Sequence, residues 1–342
     1  MKKSVRTTVL VGLSLGLLAI FLRGAHLDVV WREIRQAEAW LIAVSAGLTV
    51  MITALRAVRW QYLLAPIGVA GFRPAFRTTM IGFAVSSVLP ARPGEVIRPY
   101  LLARQAGLSA TATFATIVVE RLLDSVTVVL MLASFVLFFD PGMAVADRVT
   151  YRLVRTGGLI VGAGTLFLLC VMFFAARDPQ ALGRWAYKVE HLLPGKLTHK
   201  LAALLHSFAE GLAVVRAPKR LFVALMLSVP LWMAIALGVW TVVLGFHIEL
   251  PFTGSFLLLA LLAVGVSVPT PGGVGGFEAA IQIGLTKFYH VPNDTAVGAA
   301  LVLHATSILP TVVLGFLFLI QDGMRLGGMQ KLASAAAHGD AP

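Results

Sequence analysis

The stretch Ser109–Leu130 reads SATATFATIVVERLLDSVTVVL and opens an apolar run that continues to Phe139. A helix needs about 20 residues to cross the hydrocarbon core of a bilayer. Ala110–Phe139 is long enough, yet Glu120, Arg121 and Asp124 sit inside it. Facing lipid at mid-bilayer, each would cost about 2.5–3.5 kcal/mol on insertion scales. They must therefore face the interior of a helical bundle, pair, or line water. Glu120 and Asp124 are four apart and share a helix face, with Arg121 about 100° round from Glu120. Two readings stay open: Arg121 pairs with Asp124 and locks helices together, or the group serves a ligand. Two acids against one base leave a negative charge that a proton, or a base such as Arg56, Arg59 or Arg98, must balance.

Composition agrees with a membrane setting. Of 342 residues, 58% are hydrophobic and 13% charged, against about 25% charged in a soluble domain. That excludes a soluble enzyme, a disordered chain and a nucleic-acid module. The net charge of +12 fits loops facing an anionic inner leaflet. The single cysteine, Cys170, excludes an intrachain disulfide and a Cys-based metal site.

Further full spans are expected at Thr8–Leu22, Trp40–Leu55, Gly157–Ala176, Leu221–Phe246 and Thr295–Ile320, about six in all. The first has a basic start and no small-x-small cleavage site before Arg23, so it reads as an uncleaved span. Two apolar stretches are interrupted. Phe76–Leu89 stops at Pro90-Ala91-Arg92-Pro93-Gly94-Glu95, and Phe256–Val268 stops at Pro269-Thr270-Pro271-Gly272-Gly273-Val274-Gly275-Gly276. Short helices, Glu95–Ala106 and Phe277–Tyr289, are expected to follow. Lipid cannot satisfy the backbone groups that such breaks free, so both read as re-entrant helical hairpins; ordinary loops between full spans are the alternative.

The order of elements repeats. Ala54–Leu64 aligns with Ala234–Leu244, placing Trp60 on Trp240, and Ser109–Leu130 aligns with Asn293–Leu314, placing Glu120 opposite His304. The fold class expected is an all-α, polytopic helical bundle with two re-entrant hairpins in an inverted-topology repeat. Residues 1–325 form one integral membrane domain, with a first repeat at about 40–139 and a second at about 221–320. Between them, residues 177–220 are basic and carry Leu201, Leu204, Leu205, Phe208 and Leu212 at helical spacing, as in an interfacial cytoplasmic linker. The tail 326–342 is expected to be disordered. Lys2, Lys3 and Arg6, with Arg56, Arg59, Arg73 and Arg77, place both termini in the cytoplasm.

Polar residues in these settings are the candidate site. Arg56 and Arg59 are three apart, so they could hold a phosphate together or simply snorkel. In Pro90-x-Arg92-Pro93-Gly94-Glu95-x-x-Arg98, Arg92 and Arg98 could meet an anionic headgroup at a helix N-terminus, or Glu95 could cap the helix and pair with Arg98. Pro90, Pro93, Gly94, Pro271, Gly272, Gly273 and Gly275 are candidate hairpin-tip backbone positions, and Glu278 is the only charge of the second hairpin. His304 reads either as a hydrogen-bonded core histidine or as a proton carrier. No Walker A or HExxH motif and no His/Cys cluster occurs, so neither a metal nor a cofactor is expected.

Taken together, R-x-x-R-W (Arg56–Trp60), P-x-R-P-G-E-x-x-R (Pro90–Arg98), E-R-x-x-D (Glu120–Asp124) and P-x-P-G-G-x-G-G-x-E (Pro269–Glu278) resemble the lysylphosphatidylglycerol synthase transmembrane-region family. The likeness covers about residues 5–325. It implies a multi-pass protein of the bacterial inner membrane. In the best-known relatives this region moves aminoacylated phosphatidylglycerol between leaflets, and a separate soluble domain, which this chain lacks, does the synthesis. Other relatives are tied to glycolipid, polyprenyl-lipid or hopanoid pathways. The expected function is a non-enzymatic lipid translocator with a substrate pocket lined by Arg56, Arg59, Arg92, Glu95, Arg98, Glu120, Arg121, Asp124 and Glu278. Its partner is a membrane lipid, with homo-oligomerisation left open. An integral-membrane transferase, with Glu120 or Asp124 as general base, is the alternative.

Overall fold

The computed structural model describes residues 12, 14, 16–89, 92–139, 148–177, 195–267 and 270–323, and no strand occurs among them. The helices are α1 (residues 16–22), α2 (Leu27–Gln36), α3 (Ala39–Leu64), α4 (Phe72–Val88), α5 (Gly94–Ala106), α6 (Ala110–Ser134), α7 (Arg148–Arg177), α8 (Gly195–Gly211), α9 (Pro218–Gly245), α10 (Gly254–Gly265), α11 (Gly276–Ile283) and α12 (Asn293–Gln321). Local chemistry sets the boundaries. Ser109 accepts from the Ala112 N–H at 3.3 Å and caps α6. Gly107, at φ 66°, ends α5 in the left-handed conformation. Pro218 sits in the first turn of α9, where no partner for its missing N–H is needed.

Among the described residues, five helices are long and apolar enough to cross a membrane: Ala39–Leu64, Ala110–Phe138, Thr156–Phe174, Pro218–Gly245 and Asn293–Gln321. They match five of the six expected spans. Six of the fifteen residues of the sixth, Thr8–Leu22, lie outside the described residues, as do Pro90, Pro269, the tail 326–342 and the linker segment 178–194. On α7, Leu159, Ile160, Leu166, Phe167 and Phe174 are exposed, an apolar face suited to lipid. The protein is an all-α, multi-pass membrane protein.

The order long, short, short, long occurs twice, as α3–α6 and as α9–α12. The two α3-like helices pack on each other, and the halves exchange contacts reciprocally: α4 lies on α12 while α10 lies on α6, and α3 touches α12 while α9 touches α6. Each short pair crosses closely through glycine. A Cβ on Gly94 would run into the Gly82 carbonyl oxygen of α4, and one on Gly276 would run into that of Gly265 in α10. The ends of the first pair lie together, Leu108 against Gly68, and Arg77 pairs with Asp322 just beyond α12. In the second pair Tyr289 lies against Gly254, and Gln282 donates to Asn293 at the start of α12, at 2.7 Å. The 29 residues of α12 span about 43 Å at 1.5 Å per residue, so the two pairs stand at its opposite ends.

Three details depart from the sequence reading. The first pair begins at Phe72 rather than Phe76, because Pro74 falls in the first helical turn, where proline is tolerated. The second short helix is α11 alone, and a π-helical turn, Gly284–Phe288, completes it. The end of α8 is docked on the protein: Leu212 is fully buried and Gly211 abuts the Ala112 carbonyl and Ala115 of α6.

Candidate functional site

Helices α3, α5 and α6 bring Arg56, Arg59, Arg98, Arg121, Glu120 and Asp124 into one cluster. Arg98 makes a bidentate pair with Glu120, Nη1 to Oε1 at 2.9 Å and Nη2 to Oε2 at 3.1 Å. Arg56 Nη1 bridges Glu120 and Asp124, at 3.1 Å to each. Arg59 Nη1 reaches Asp124 Oδ1 at 2.8 Å and donates to Ser228 of α9 at 2.7 Å. Arg121 Nη2 contacts Glu120 at 2.8 Å and Asp124 only at 3.6 Å. Trp232 of α9 donates its indole N–H to Asp124 at 3.0 Å. The Arg98 guanidinium lies 4.0 Å from the centroid of Trp60, a cation–π stack. Glu120 and Arg59 are fully buried.

The charge balance is the reverse of the one expected from α6 alone. Four guanidiniums face two carboxylates, an excess of two positive charges. Arg121 takes Glu120 as its nearer partner, and Arg98 pairs with Glu120 instead of Glu95. Among the described residues, Arg56 Nε, Arg59 Nε and Nη2, Arg98 Nε and Arg121 Nε are buried without a hydrogen-bond acceptor. Each buried unsatisfied donor costs about 1–3 kcal/mol, and unpaired charge in a low-dielectric interior costs more. The cluster therefore carries more positive charge than its own carboxylates balance, which suits it to sit beside an anion.

A cavity of about 340 Å³ opens beside it, lined by Thr49, Thr53, Arg56, Ser86, Ser87, Arg92, Glu95, Arg121, Gly272, Gly273, Ser307 and Thr311 among others. Both short-pair tips project into it and touch each other. The Arg92 guanidinium donates to the Val266 carbonyl, and a Cβ on Gly272 would lie 3.1 Å from the Ser87 carbonyl oxygen. An apolar cavity of about 240 Å³, lined by Trp232, Val239, Leu259, Leu262 and Leu303 among others, shares Thr49, Ile52, Ile235, Val266 and Ser307 with the polar one.

Of the predicted site residues, Arg56, Arg92, Glu95 and Arg121 line the polar cavity, as do the backbone positions Gly272 and Gly273. Arg59, Arg98, Glu120 and Asp124 stand behind this wall and hold it. Glu278 does not line the cavity. Its Oε2 accepts the Gly275 N–H at 2.7 Å and caps α11, while Oε1 lies 2.6 Å from His304 Nδ1. His304, aligned with Glu120 by sequence, meets Glu278 instead because both belong to the second half. Pro93 and Gly94 begin α5, with Gly94 N donating to Ser86 Oγ at 3.0 Å. Pro271 opens a 3-10 turn, and Gly275 sits at φ 87° just before α11.

Sequence reasoning missed the hydroxyl lining. Ser45, Thr49 and Thr53 recur every fourth residue on α3; Ser45 Oγ reaches Gly238 O at 3.1 Å and Thr49 Oγ1 reaches Thr306 O at 3.0 Å. That i, i+4 spacing inside an apolar span was the available signal.

Comparison with known proteins finds relatives that are named membrane proteins. The chain is 24% identical over 287 residues to a UPF0104 membrane protein of Methanothermobacter thermautotrophicus, covering 79% of this chain and 81% of the relative. It is 20% identical over 331 residues to a UPF0104 membrane protein of Methanocaldococcus jannaschii, covering 93% and 95%. It is 26% identical over 339 residues to the protein named glycosyltransferase AglD of Haloferax volcanii, covering 91% of this chain but only 54% of that longer protein. The sequence model of the lysylphosphatidylglycerol synthase TM region matches residues 8–315, and the chain belongs to that family.

Proposed function

We propose that the protein is a lipid translocator that carries a phosphate-bearing, anionic headgroup through the polar cavity while the tails stay in lipid. One observation carries this reading: a buried cluster with two excess positive charges backs the wall of a cavity that Arg56, Arg92 and Arg121 line and where two helix-breaking tips meet. Planar guanidinium forks match phosphate oxygens. Arg121, Arg56 and Arg92 face the cavity, while Glu120 and Asp124 hold the guanidiniums in position behind it. The neighbouring apolar cavity offers a path for chain atoms adjoining the headgroup.

The contacts that place the two short pairs at opposite ends of α12 support hairpins entering from opposite leaflets, as in an inverted repeat. With the basic segments inside, the first hairpin enters from the cytoplasm and the second from outside. The membrane is then the inner membrane of the cell, with cytoplasmic termini. The transferase alternative needs a carboxylate free to accept a proton. Glu120 and Asp124 are each held by two or more guanidiniums, which favours transport over transfer.

The test is transfer of fluorescent phosphatidylglycerol between leaflets of proteoliposomes, read by quenching of the exposed leaflet. Arg121→Ala should slow transfer at least tenfold with the protein still folded. Wild-type transfer no faster than in protein-free vesicles, or an unchanged rate in Arg121→Ala, would overturn the reading.

A further inference from the structure

His304 is buried in α12, 7% exposed, with Phe277 stacked flat on its ring at 4.3 Å and an interplanar angle of 9°. Both ring nitrogens face acceptors. Nε2 lies 3.0 Å from the Gly272 carbonyl oxygen and Nδ1 lies 2.6 Å from Glu278 Oε1. A carbonyl oxygen can only accept, so Nε2 carries a hydrogen. The short contact at Nδ1 also requires one, either on the ring or on the carboxyl group. The pair therefore holds one proton beyond a neutral imidazole and a free carboxylate.

Removing that proton leaves one ring N–H for two acceptors, and one contact must break. The bond to the charged carboxylate is the stronger of the two, so the contact to Gly272 is the one lost. Gly272 belongs to the tip of the second short pair, lines the polar cavity and abuts Ser87 of the first tip. From the position of this dyad we infer that Glu278 and His304 form a proton-binding site, one that latches the second tip when loaded and frees it when the proton leaves to cavity water. This inference rests on the translocator reading, and it adds a proton as the coupled ion.

Of the helices packed on α12, α2 carries Asp28, Arg32, Glu33 and Arg35, with Glu33 on Thr295; α3 carries Arg56 and Arg59, held by Glu120 and Asp124; and α4 carries Arg73 and Arg77, the latter on Asp322. α10 carries no ionisable residue, and α12 carries only Asp294 and His304. The π turn after α11 contributes Lys287 at its far end, residues 16–22, which touch Gly275, contribute none, and the first tip contributes Arg92 on Val266.

Glu278→Gln isolates the proton from the geometry. Its amide NH₂ can donate to Nδ1 and its amide oxygen can accept from Gly275, so the latch persists without a group that exchanges a proton. The first readout is hydrogen–deuterium exchange of amides 272–276 in purified full-length protein from pH 6 to pH 9, corrected for the intrinsic pH dependence of exchange. Wild type should show at least a tenfold rise in exchange as pH increases, and Glu278→Gln should show none. The second readout is phosphatidylglycerol transfer with and without an imposed pH difference. Wild-type transfer should change at least fivefold and Glu278→Gln transfer should not respond. Equal pH responses in the two proteins, or a flat wild-type exchange profile, would overturn the latch. A pH-dependent tip without lipid transfer would instead contradict the translocator reading while leaving the proton site standing.

Discussion

The two halves share one order of helices and hold their buried charge differently. In the first half, α3, α5 and α6 pack four guanidiniums around two carboxylates. In the second, the corresponding helices carry a single Glu278–His304 pair. The first is over-connected: Glu120 meets Arg56, Arg98 and Arg121 within 3.1 Å, so no single bond defines it. The second depends on one proton. The same order of helices thus supports a positively biased wall on one side of a cavity and, on the proposed reading, a tip that one proton can release on the other.

The contrast can be broken at its strongest point first. Glu120→Gln removes the charge that holds Arg98, Arg56 and Arg121 together, and breaking a buried pair of this kind costs about 3–5 kcal/mol. Thermal unfolding in detergent should show the largest drop in midpoint for this variant. Next, Trp232→Phe removes the donor that ties α9 to Asp124. Hydrogen bonds to charged groups contribute about 1.5–3 kcal/mol, so the same measurement should show a smaller but clear loss. The shared frame is sharpened by Gly94→Ala and Gly276→Ala, where the new Cβ meets a backbone carbonyl in each short pair. Overpacking of this kind costs about 1–3 kcal/mol, and the two variants should lose similar stability. Unequal losses would show that the pairs are not built alike. The smallest effect belongs to Arg77→Ala, whose partly exposed pair with Asp322 contributes at most about 1 kcal/mol.

The frame was legible because its signals are local. Length and hydropathy marked the long helices, and Pro93-Gly94 and Pro271-Gly272-Gly273 marked the breaks. Glu120, Arg121 and Asp124 stood out because charge inside an apolar helix is expensive. Their partners were not legible. Arg98 could have paired with Glu95 one turn away, and only the crossing of α5 on α6 sends it to Glu120. The expected deficit of positive charge became an excess because α3 adds Arg56 and Arg59 and α5 adds Arg98. Glu278 reads as a pocket residue because it is the only charge of the second hairpin, but three residues of α11 turn its carboxylate back onto Gly275 and across to His304. Pairing across helices depends on packing that no spacing rule encodes.

The most direct measurement is equilibrium binding of short-chain phosphatidylglycerol and phosphatidylcholine to the purified protein, wild type against Arg121→Ala. A positively biased cavity predicts tighter binding of the anionic lipid, at least tenfold weaker in Arg121→Ala, with the zwitterionic lipid little affected. Equal affinity for both lipids, or no change on removing Arg121, would contradict it.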